Sequence, residues 1–170
     1  MGKFKPKRWI NWLLNLVFVL AIGWGVSAWQ LKDLLPASGQ VRAPDFELVG
    51  LDGKIYRLAD SQAKTTIIYF FAPWCPICRL SIGNLEKLRQ VQYSKELSIF
   101  LIALSWQDLA EVKQFVADHS LTLPVLLGTP EIAETYRIKG FPTYYVLNAE
   151  GKIVNRSVGY STELGLRWKI

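Results

Sequence analysis

The chain has 170 residues, a formal net charge of +6 at pH 7, two cysteines and one histidine. This length leaves room for one globular domain of ordinary size beside a single apolar N-terminal stretch. Four cations, Lys3, Lys5, Lys7 and Arg8, precede that stretch, so the remainder has 16 Lys and Arg (20 minus 4) against 14 Asp and Glu. A balance of +2 gives no basic patch for nucleic acid, and we predict no nucleic-acid partner.

The N-terminal stretch predicts membrane attachment. Residues 1–8 are basic, and residues 9–31, WINWLLNLVFVLAIGWGVSAWQL, contain no charged side chain. As a helix they would be about 34 Å long, enough to cross a hydrocarbon core of about 30 Å. We therefore predict a single transmembrane anchor over 9–31, with 1–8 in the cytoplasm. A cleavable signal peptide is the alternative, since Val26, Ser27 and Ala28 include small residues that a signal peptidase accepts.

This orientation predicts a single-pass inner-membrane protein with its C-terminal domain in the periplasm. Residues 32–41 contain several breakers and little periodicity, so we predict a linker there and a folded domain over 42–170. The domain opens with DFELVGLDGKIYRL, in which apolar and polar residues alternate around Asp52 and Gly53. That pattern predicts an N-terminal β-hairpin.

Strand and helix patterns alternate through the rest of the domain. The run TTIIYFF at 65–71 is typical of a strand buried on both faces, and strand patterns recur at 97–104 and in TLPVLLG. Asp108 and Pro130 are suited to open two of the helices. The first helix is predicted to bury one face, formed by Leu80, Leu85, Leu88 and Val91. Two final strands are joined by a turn at 149–151, so we predict an α/β domain with a mixed sheet flanked by helices.

Both cysteines lie in APWCPICR, where the strand at 65–71 gives way to the first helix. A closed zinc site needs four ligands, and the only other candidate, His119, is about forty residues away and is predicted to be a solvated residue at a helix end. A structural disulfide would close too small a loop to stabilise the fold much. We therefore predict a redox-active pair, Cys75 and Cys78, with no metal and no cofactor, in a compartment where disulfides persist.

The position of the two thiols indicates their roles. Cys75 is predicted to attack first, because a helix N-terminus favours a thiolate. Cys78, one turn later, is predicted to resolve the mixed disulfide, and Pro76 suits the first turn. Trp74 is predicted either to cover one side of Cys75 or simply to pack, and Arg79 either to add positive potential or to be solvated.

These motifs carry a family resemblance. TTIIYFFAPWCPICR together with GFPT at 140–143 resembles the thioredoxin superfamily. The opening APDFELVGLDGKIYRL, with an anchor and an exported domain, resembles the membrane-tethered TlpA, ResA and DsbE-like branch, and Cys-Pro-Ile-Cys-Arg is most similar to the ScsD-like protein disulfide oxidoreductases. The resemblance covers about residues 42–160. It implies a thioredoxin-like α/β fold whose central mixed sheet is flanked by helices.

The resemblance also implies further site residues. Phe141, Pro142 and Thr143 match the family loop that holds a cis proline opposite the dithiol, where free backbone groups pair with an extended substrate. Tyr69 and Ser81 stand where thioredoxin and ResA-like proteins respectively place an acid that assists proton transfer at the resolving thiol. Their absence leaves the direction of electron flow open.

We therefore predict a thiol:disulfide oxidoreductase that exchanges disulfides with exported cysteine-containing proteins and draws on a thiol redox partner in the membrane or periplasm. Anchored relatives mostly act as reductants, which favours reduction slightly. Two alternatives stay open. The dithiol could hold Cu(I) in a copper-binding or copper-tolerance protein. The protein could instead be a peroxiredoxin-like peroxide reductase, because APDFELVGLDGK also resembles the start of that family.

Overall fold

The computed structural model describes residues 6–91 and 96–170 and divides into two compact units, Met1–Asp33 and Leu34–Ile170. The first unit contains one helix, α1 (Pro6–Lys32), on which described apolar side chains such as Trp12 and Phe18 are exposed. The sequence predicts a transmembrane helix over 9–31. A helix does cover this range, but within the described residues no helix is both long and apolar enough to cross a membrane.

The second unit is built on a mixed sheet. Its elements in chain order are β1 (Glu47–Val49), β2 (Ile55–Arg57), a 3-10 turn (Leu58–Asp60), β3 (Thr65–Phe71), α2 (Pro76–Val91), β4 (Leu97–Ala103), α3 (Leu109–Asp118), β5 (Val125–Leu127), α4 (Pro130–Thr135), β6 (Thr143–Leu147), β7 (Ile153–Val158) and α5 (Glu163–Arg167). The strand order is β5-β4-β3-β6-β7. Strand β3 is parallel to β4 and antiparallel to β6, so the predicted mixed α/β architecture is confirmed.

Strand β3 lies at the centre of the sheet and is buried on both faces, as its apolar run predicts. On one face Ile67, Tyr69 and Phe71 join the core formed with α2 and α3. On the other face Phe70 packs against the ring of Tyr136, with centroids 5.0 Å apart. This double burial fixes the end of β3, from which the chain enters the cysteine segment.

Helix α2 buries Leu85 and Leu88 as predicted but not Leu80, and the side chain of Val91 lies outside the described residues. Leu80 is 73% exposed, whereas Cys78, Ile82, Leu85 and Leu88 are buried. The inclusion of Leu80 in the core face was therefore wrong. At 3.6 residues per turn, Leu80 lies close to the opposite side of the helix from Cys78 and Ile82, so the buried face is the one that begins with the second cysteine.

The domain opens with a small antiparallel sheet, in which β1 pairs with β2 at the position of the predicted hairpin. Gly53 in the connection has φ +77°, a left-handed conformation that glycine adopts without steric cost. The Asp52 carboxylate accepts the N–H of Lys54 at 3.1 Å. Asp52 and Gly53 thus have the turn chemistry that the sequence suggested.

Residues within the predicted linker 32–41 pack onto the domain. Leu34 and Leu35 are buried, and Nη1 of Arg156 on β7 donates to their carbonyl oxygens at 2.7 and 2.6 Å. The N–H of Leu35 donates to the hydroxyl of Tyr145 at 3.2 Å. The second unit therefore begins at Leu34 rather than at residue 42.

Capping residues define several helix ends. The Asp108 carboxylate accepts the N–H of Ala110 at 3.0 Å, and Pro130 opens α4, so both predicted helix starts are confirmed. His119 ends α3 and stacks on Phe115, with ring centroids 4.4 Å apart. The short helix α5, capped by Thr162, had no counterpart in the sequence prediction.

Candidate active site

The dithiol lies where the chain leaves the central strand and starts a helix. Between Phe71 and Pro76 the chain makes a tight turn in which the N–H of Cys75 donates to the carbonyl of Ala72 at 3.0 Å. Pro76 takes the first helical position, where a backbone N–H would have no intrahelical partner. Cys75 therefore sits immediately before the helix, and Cys78 lies within its first turn.

A hydrogen bond from backbone to sulfur links the two cysteines. Both cysteines are free, and Sγ of Cys75 accepts the backbone N–H of Cys78 at 3.3 Å. The same sulfur lies 3.6 Å from the carbonyl oxygen of Phe141. Cys75 is 4% exposed, whereas Cys78 is fully buried, so an incoming disulfide meets Cys75 first.

Burial changes the acidity of the second thiol. The surrounding core raises the pKa of Cys78 well above its usual value, and the contact with Cys75 raises it further. Cys78 is therefore a protonated thiol at neutral pH. The two cysteines have unequal environments, because Cys75 keeps a small exposed surface at the helix start and Cys78 keeps none.

Trp74 forms one wall beside Cys75. Its ring is 60% exposed, and its Nε1–H donates to the carbonyl of Ser105 at 2.9 Å. The indole also meets Phe141 edge to face, with centroids 5.8 Å apart. Trp74 is thus held on both sides while its outer surface stays open to a partner. Ser105 was not predicted, because it contributes through its backbone and its residue type gives no signal.

The loop before β6 lies against Trp74 and also borders the Cys75 sulfur. The Phe141–Pro142 peptide bond is cis, the form that the family resemblance implies. The structure brings Phe141 to both Trp74 and the sulfur of Cys75. Thr143 is buried, and its hydroxyl donates to the carbonyl of Gly140 at 2.8 Å. Its hydroxyl is therefore used within the loop.

Arg79 turns back onto the cysteine loop. Its Nε and Nη2 atoms each lie 3.3 Å from the carbonyl oxygen of Pro73. The guanidinium therefore braces the turn that carries Cys75, a contact that neither sequence interpretation anticipated.

Beneath Cys78, two hydroxyl groups form a pair that sequence analysis did not foresee. The hydroxyls of Tyr69 and Ser81 are 2.6 Å apart, and the Ser81 hydroxyl donates to the carbonyl of Cys78 at 3.4 Å. Both side chains are buried, at 2% and 3% exposure. The two positions at which the expected acids are absent are therefore in contact with each other.

No group of three or more His, Cys, Asp or Glu side chains within residues 6–91 and 96–170 is arranged to hold a metal ion.

A strand, a CxxC turn and a helix, facing an X-Pro loop on a mixed five-stranded sheet, define a thioredoxin-like dithiol protein. More particularly, the chain belongs to the AhpC/TSA family, whose model matches residues 40–156.

Individual relatives agree with this class. The chain is 30% identical over 167 residues to the thioredoxin-like protein YneN of Bacillus subtilis, covering 96% of this chain and 97% of that one. It is 29% identical over 122 residues to the thiol-disulfide oxidoreductase ResA of Bacillus thuringiensis, covering 71% and 70% of the two chains. A solved thiol:disulfide interchange protein of the thioredoxin family from Chlorobium tepidum superposes with a TM-score of 0.68 at 30% identity, covering 74% and 90%.

Proposed function

We propose that this protein is a thiol:disulfide oxidoreductase of the ResA/DsbE type that exchanges disulfides with exported proteins. The observation that carries the proposal is the arrangement around Cys75. Cys75 is the member of the pair that keeps some exposed surface, and its sulfur lies 3.6 Å from the Phe141 carbonyl. The names of the relatives, thiol-disulfide oxidoreductase and thiol:disulfide interchange protein, support the same chemistry.

In the reductive direction the reaction has two exchange steps. The thiolate of Cys75 attacks one sulfur of a substrate disulfide, forming a mixed disulfide and releasing the other substrate sulfur, which takes up a proton. Cys78 then loses its proton and attacks Sγ of Cys75. A Cys75/Cys78 disulfide forms, the bond from Cys75 to the substrate breaks, and the substrate leaves as a dithiol. Two electrons pass from the protein to the substrate.

Trp74 and Phe141 are the proposed substrate-positioning groups. The rings of Trp74 and Phe141 meet edge to face beside the Cys75 sulfur. A substrate whose cysteine reaches Cys75 would therefore contact both rings with the residues that flank that cysteine. The Phe141 carbonyl oxygen lies close to the Cys75 sulfur and can accept a backbone N–H from an extended substrate segment. Pro142 and Thr143 are buried behind Phe141 and are proposed to hold it in place.

We propose further that the domain works in the periplasm and is held to the inner membrane through 9–31. The proposal is supported by the sequence, in which basic residues 1–8 precede a stretch without charged side chains. Alkaline phosphatase fused after residue 40 should be active if the domain is exported. Carbonate-resistant sedimentation is expected for an anchored chain, whereas a soluble form that starts near residue 29 would indicate a cleaved signal peptide.

The direction of exchange in the cell is proposed to be reduction, fed by a thiol redox partner in the membrane or periplasm. This direction follows the anchored TlpA, ResA and DsbE-like proteins, and a specific likeness to the ScsD-like group stays a prediction. Exported target proteins are expected to carry excess disulfide in a deletion strain. Accumulation of free thiols in the same proteins would instead identify an oxidant.

Peroxide reduction is a second candidate. The matched family model begins at residue 40 and so includes 43–54, the segment that resembles the start of peroxiredoxins. Peroxide consumption by the reduced protein, compared with its Cys75→Ser variant, separates the two activities. The Cu(I) hypothesis is tested by the metal content of protein purified with and without air.

The direct test of the proposed function is reduction of a protein disulfide, such as that of insulin, by the dithiothreitol-recycled protein. Wild-type protein is expected to catalyse the reaction, and Cys75→Ser to be inactive. Undiminished activity of Cys75→Ser would reject the assignment.

A further inference from the structure

The second thiol of the pair has to lose a proton before it can act. Thiolate is the nucleophile in disulfide exchange, so Cys78 cannot attack the mixed disulfide on Cys75 while it is protonated. The Cys78 side chain is fully buried, and its partner Cys75 is only 4% exposed. Solvent therefore has little direct access to the Cys78 thiol. A base beside Cys78 would therefore determine how quickly the substrate is released.

The hydroxyl pair beneath Cys78 does not supply such a base. The Ser81 hydroxyl donates its hydrogen to the carbonyl of Cys78, so the hydrogen between Ser81 and Tyr69 comes from Tyr69. The Ser81 oxygen thus already accepts the Tyr69 hydrogen, and a neutral hydroxyl is a poor base at neutral pH. Burial also raises the pKa of Tyr69, which keeps its hydroxyl protonated at neutral pH.

Carboxylates are absent from this part of the core. All 14 Asp and Glu residues lie within the described ranges 6–91 and 96–170, and none of them is buried. Three are partly buried: Asp33, the last residue of the first unit, and Glu86 and Glu163, which bond elsewhere. Glu86 accepts the backbone N–H groups of Thr122 and Leu123, and Glu163 pairs with Arg167.

The other titratable groups that approach this core are donors or are engaged away from the sulfur. Tyr144 on β6 stacks on Tyr69, with centroids 6.4 Å apart, and its hydroxyl accepts a hydrogen bond from Lys169 at 2.8 Å. Arg79 on α2 donates to the carbonyl of Pro73. His119, at the end of α3, contacts the carbonyl of Phe115 through Nδ1. Strand β4 and helix α5 contribute apolar side chains such as Leu101 and Leu166.

We propose that Cys78 gives its proton to solvent during the resolving step, because none of the side chains that the structure describes stands beside it as a base. The mixed disulfide on Cys75 therefore releases its substrate slowly at neutral pH and faster as the pH rises. This step needs no reactant besides water and the mixed disulfide. Water takes the Cys78 proton, the Cys75/Cys78 bond forms as the bond from Cys75 to the substrate breaks, and the departing substrate sulfur is protonated by solvent. This inference rests on the proposed exchange activity.

The experiment mixes the reduced full chain, in mild detergent, with excess oxidised glutathione. Samples are quenched with acid, and the mixed disulfide is measured by mass spectrometry. Its decay is expected to accelerate about tenfold per pH unit between pH 6 and 8, following the thiolate fraction of Cys78. A decay that stays within about twofold across this range would overturn the inference. Failure to form any glutathione adduct on Cys75 would instead reject the proposed function itself.

Two substitutions of Ser81 test whether an added base speeds substrate release. Ser81→Glu places a carboxylate one helical turn from Cys78, and Ser81→Gln is its uncharged match. At pH 7 the Glu variant is expected to release glutathione at least about 10-fold faster than the Gln variant, given that general bases contribute about 10²–10⁴-fold. Equal release by both would contradict the idea that a base is what the site lacks.

Tyr69→Phe supplies the remaining control. Removing the phenol hydroxyl is expected to leave the release rate within about twofold, because that hydroxyl is not a proton acceptor. A fall of tenfold or more would show that Tyr69 passes the proton of Cys78, and it would overturn the inference.

Discussion

Replacing Arg156 by alanine is expected to loosen the segment that leads into the domain. Arg156 donates from Nη1 to the carbonyls of Leu34 and Leu35, at 2.7 and 2.6 Å, and both leucines are buried. A hydrogen bond that involves a charged group contributes about 1.5–3 kcal/mol. Because the Arg156 side chain is half-buried, we expect the two bonds together to contribute about 2–4 kcal/mol to the free energy of unfolding.

The assay is urea unfolding of the full chain in mild detergent, followed by near-ultraviolet circular dichroism of the aromatic core. Arg57→Ala is the matched control, since Arg57 forms an exposed ion pair with Glu47 at 2.6 Å, a class of contact that stabilises proteins little. Arg156→Lys should lose part of the stability, because an ammonium group lacks the planar fork of arginine. An Arg156→Ala variant as stable as Arg57→Ala would refute the role of this contact.

Three further predictions concern the dithiol, its surroundings and a helix start. Cys78→Ser is expected to accumulate mixed disulfides with exported proteins while Cys75→Ser accumulates few, as shown on non-reducing gels, and equal trapping would reject the order of attack. Trp74→Ala should raise KM for a protein substrate several-fold but leave the rate of Cys75 alkylation within about twofold, and unchanged KM would remove Trp74 from substrate positioning. Asp108→Ala should lower the free energy of unfolding by about 1 kcal/mol through loss of the α3 cap, measured by urea unfolding, and an unchanged midpoint would contradict this value.

Features that depend on neighbouring residues, such as the position of the two thiols and the cap of α3, were predicted from the sequence. A buried β-branched and aromatic run followed by W-C-x-x-C places the thiols at a strand-to-helix junction. Cys75 and Cys78 are three residues apart, which is about one helical turn, so the helix itself brings them close together. Likewise, Asp108 caps its helix through a contact with the following turn. Such contacts depend on neighbours in the chain, so residue type and spacing reveal them.

Contacts between distant segments were not predictable in the same way. Leu34 and Leu35 lie in a stretch with weak periodicity, and their partner, Arg156, is more than 120 residues later. The Tyr69 and Ser81 hydroxyls meet only because α2 packs on one face of β3. Leu80 was assigned to the core face by its spacing to Leu85 and Leu88, although the buried face of α2 is set by where the helix meets the sheet.

The most direct test of the central claim is a glutathione redox titration of the protein, with acid quenching and mass measurement of the Cys75/Cys78 pair. Wild-type protein is expected to pass reversibly between dithiol and disulfide in one two-electron transition, and Cys75→Ser to show none. A wild-type pair that stays reduced across the whole glutathione range, or that forms no mixed disulfide with substrates, would contradict a function in thiol:disulfide exchange.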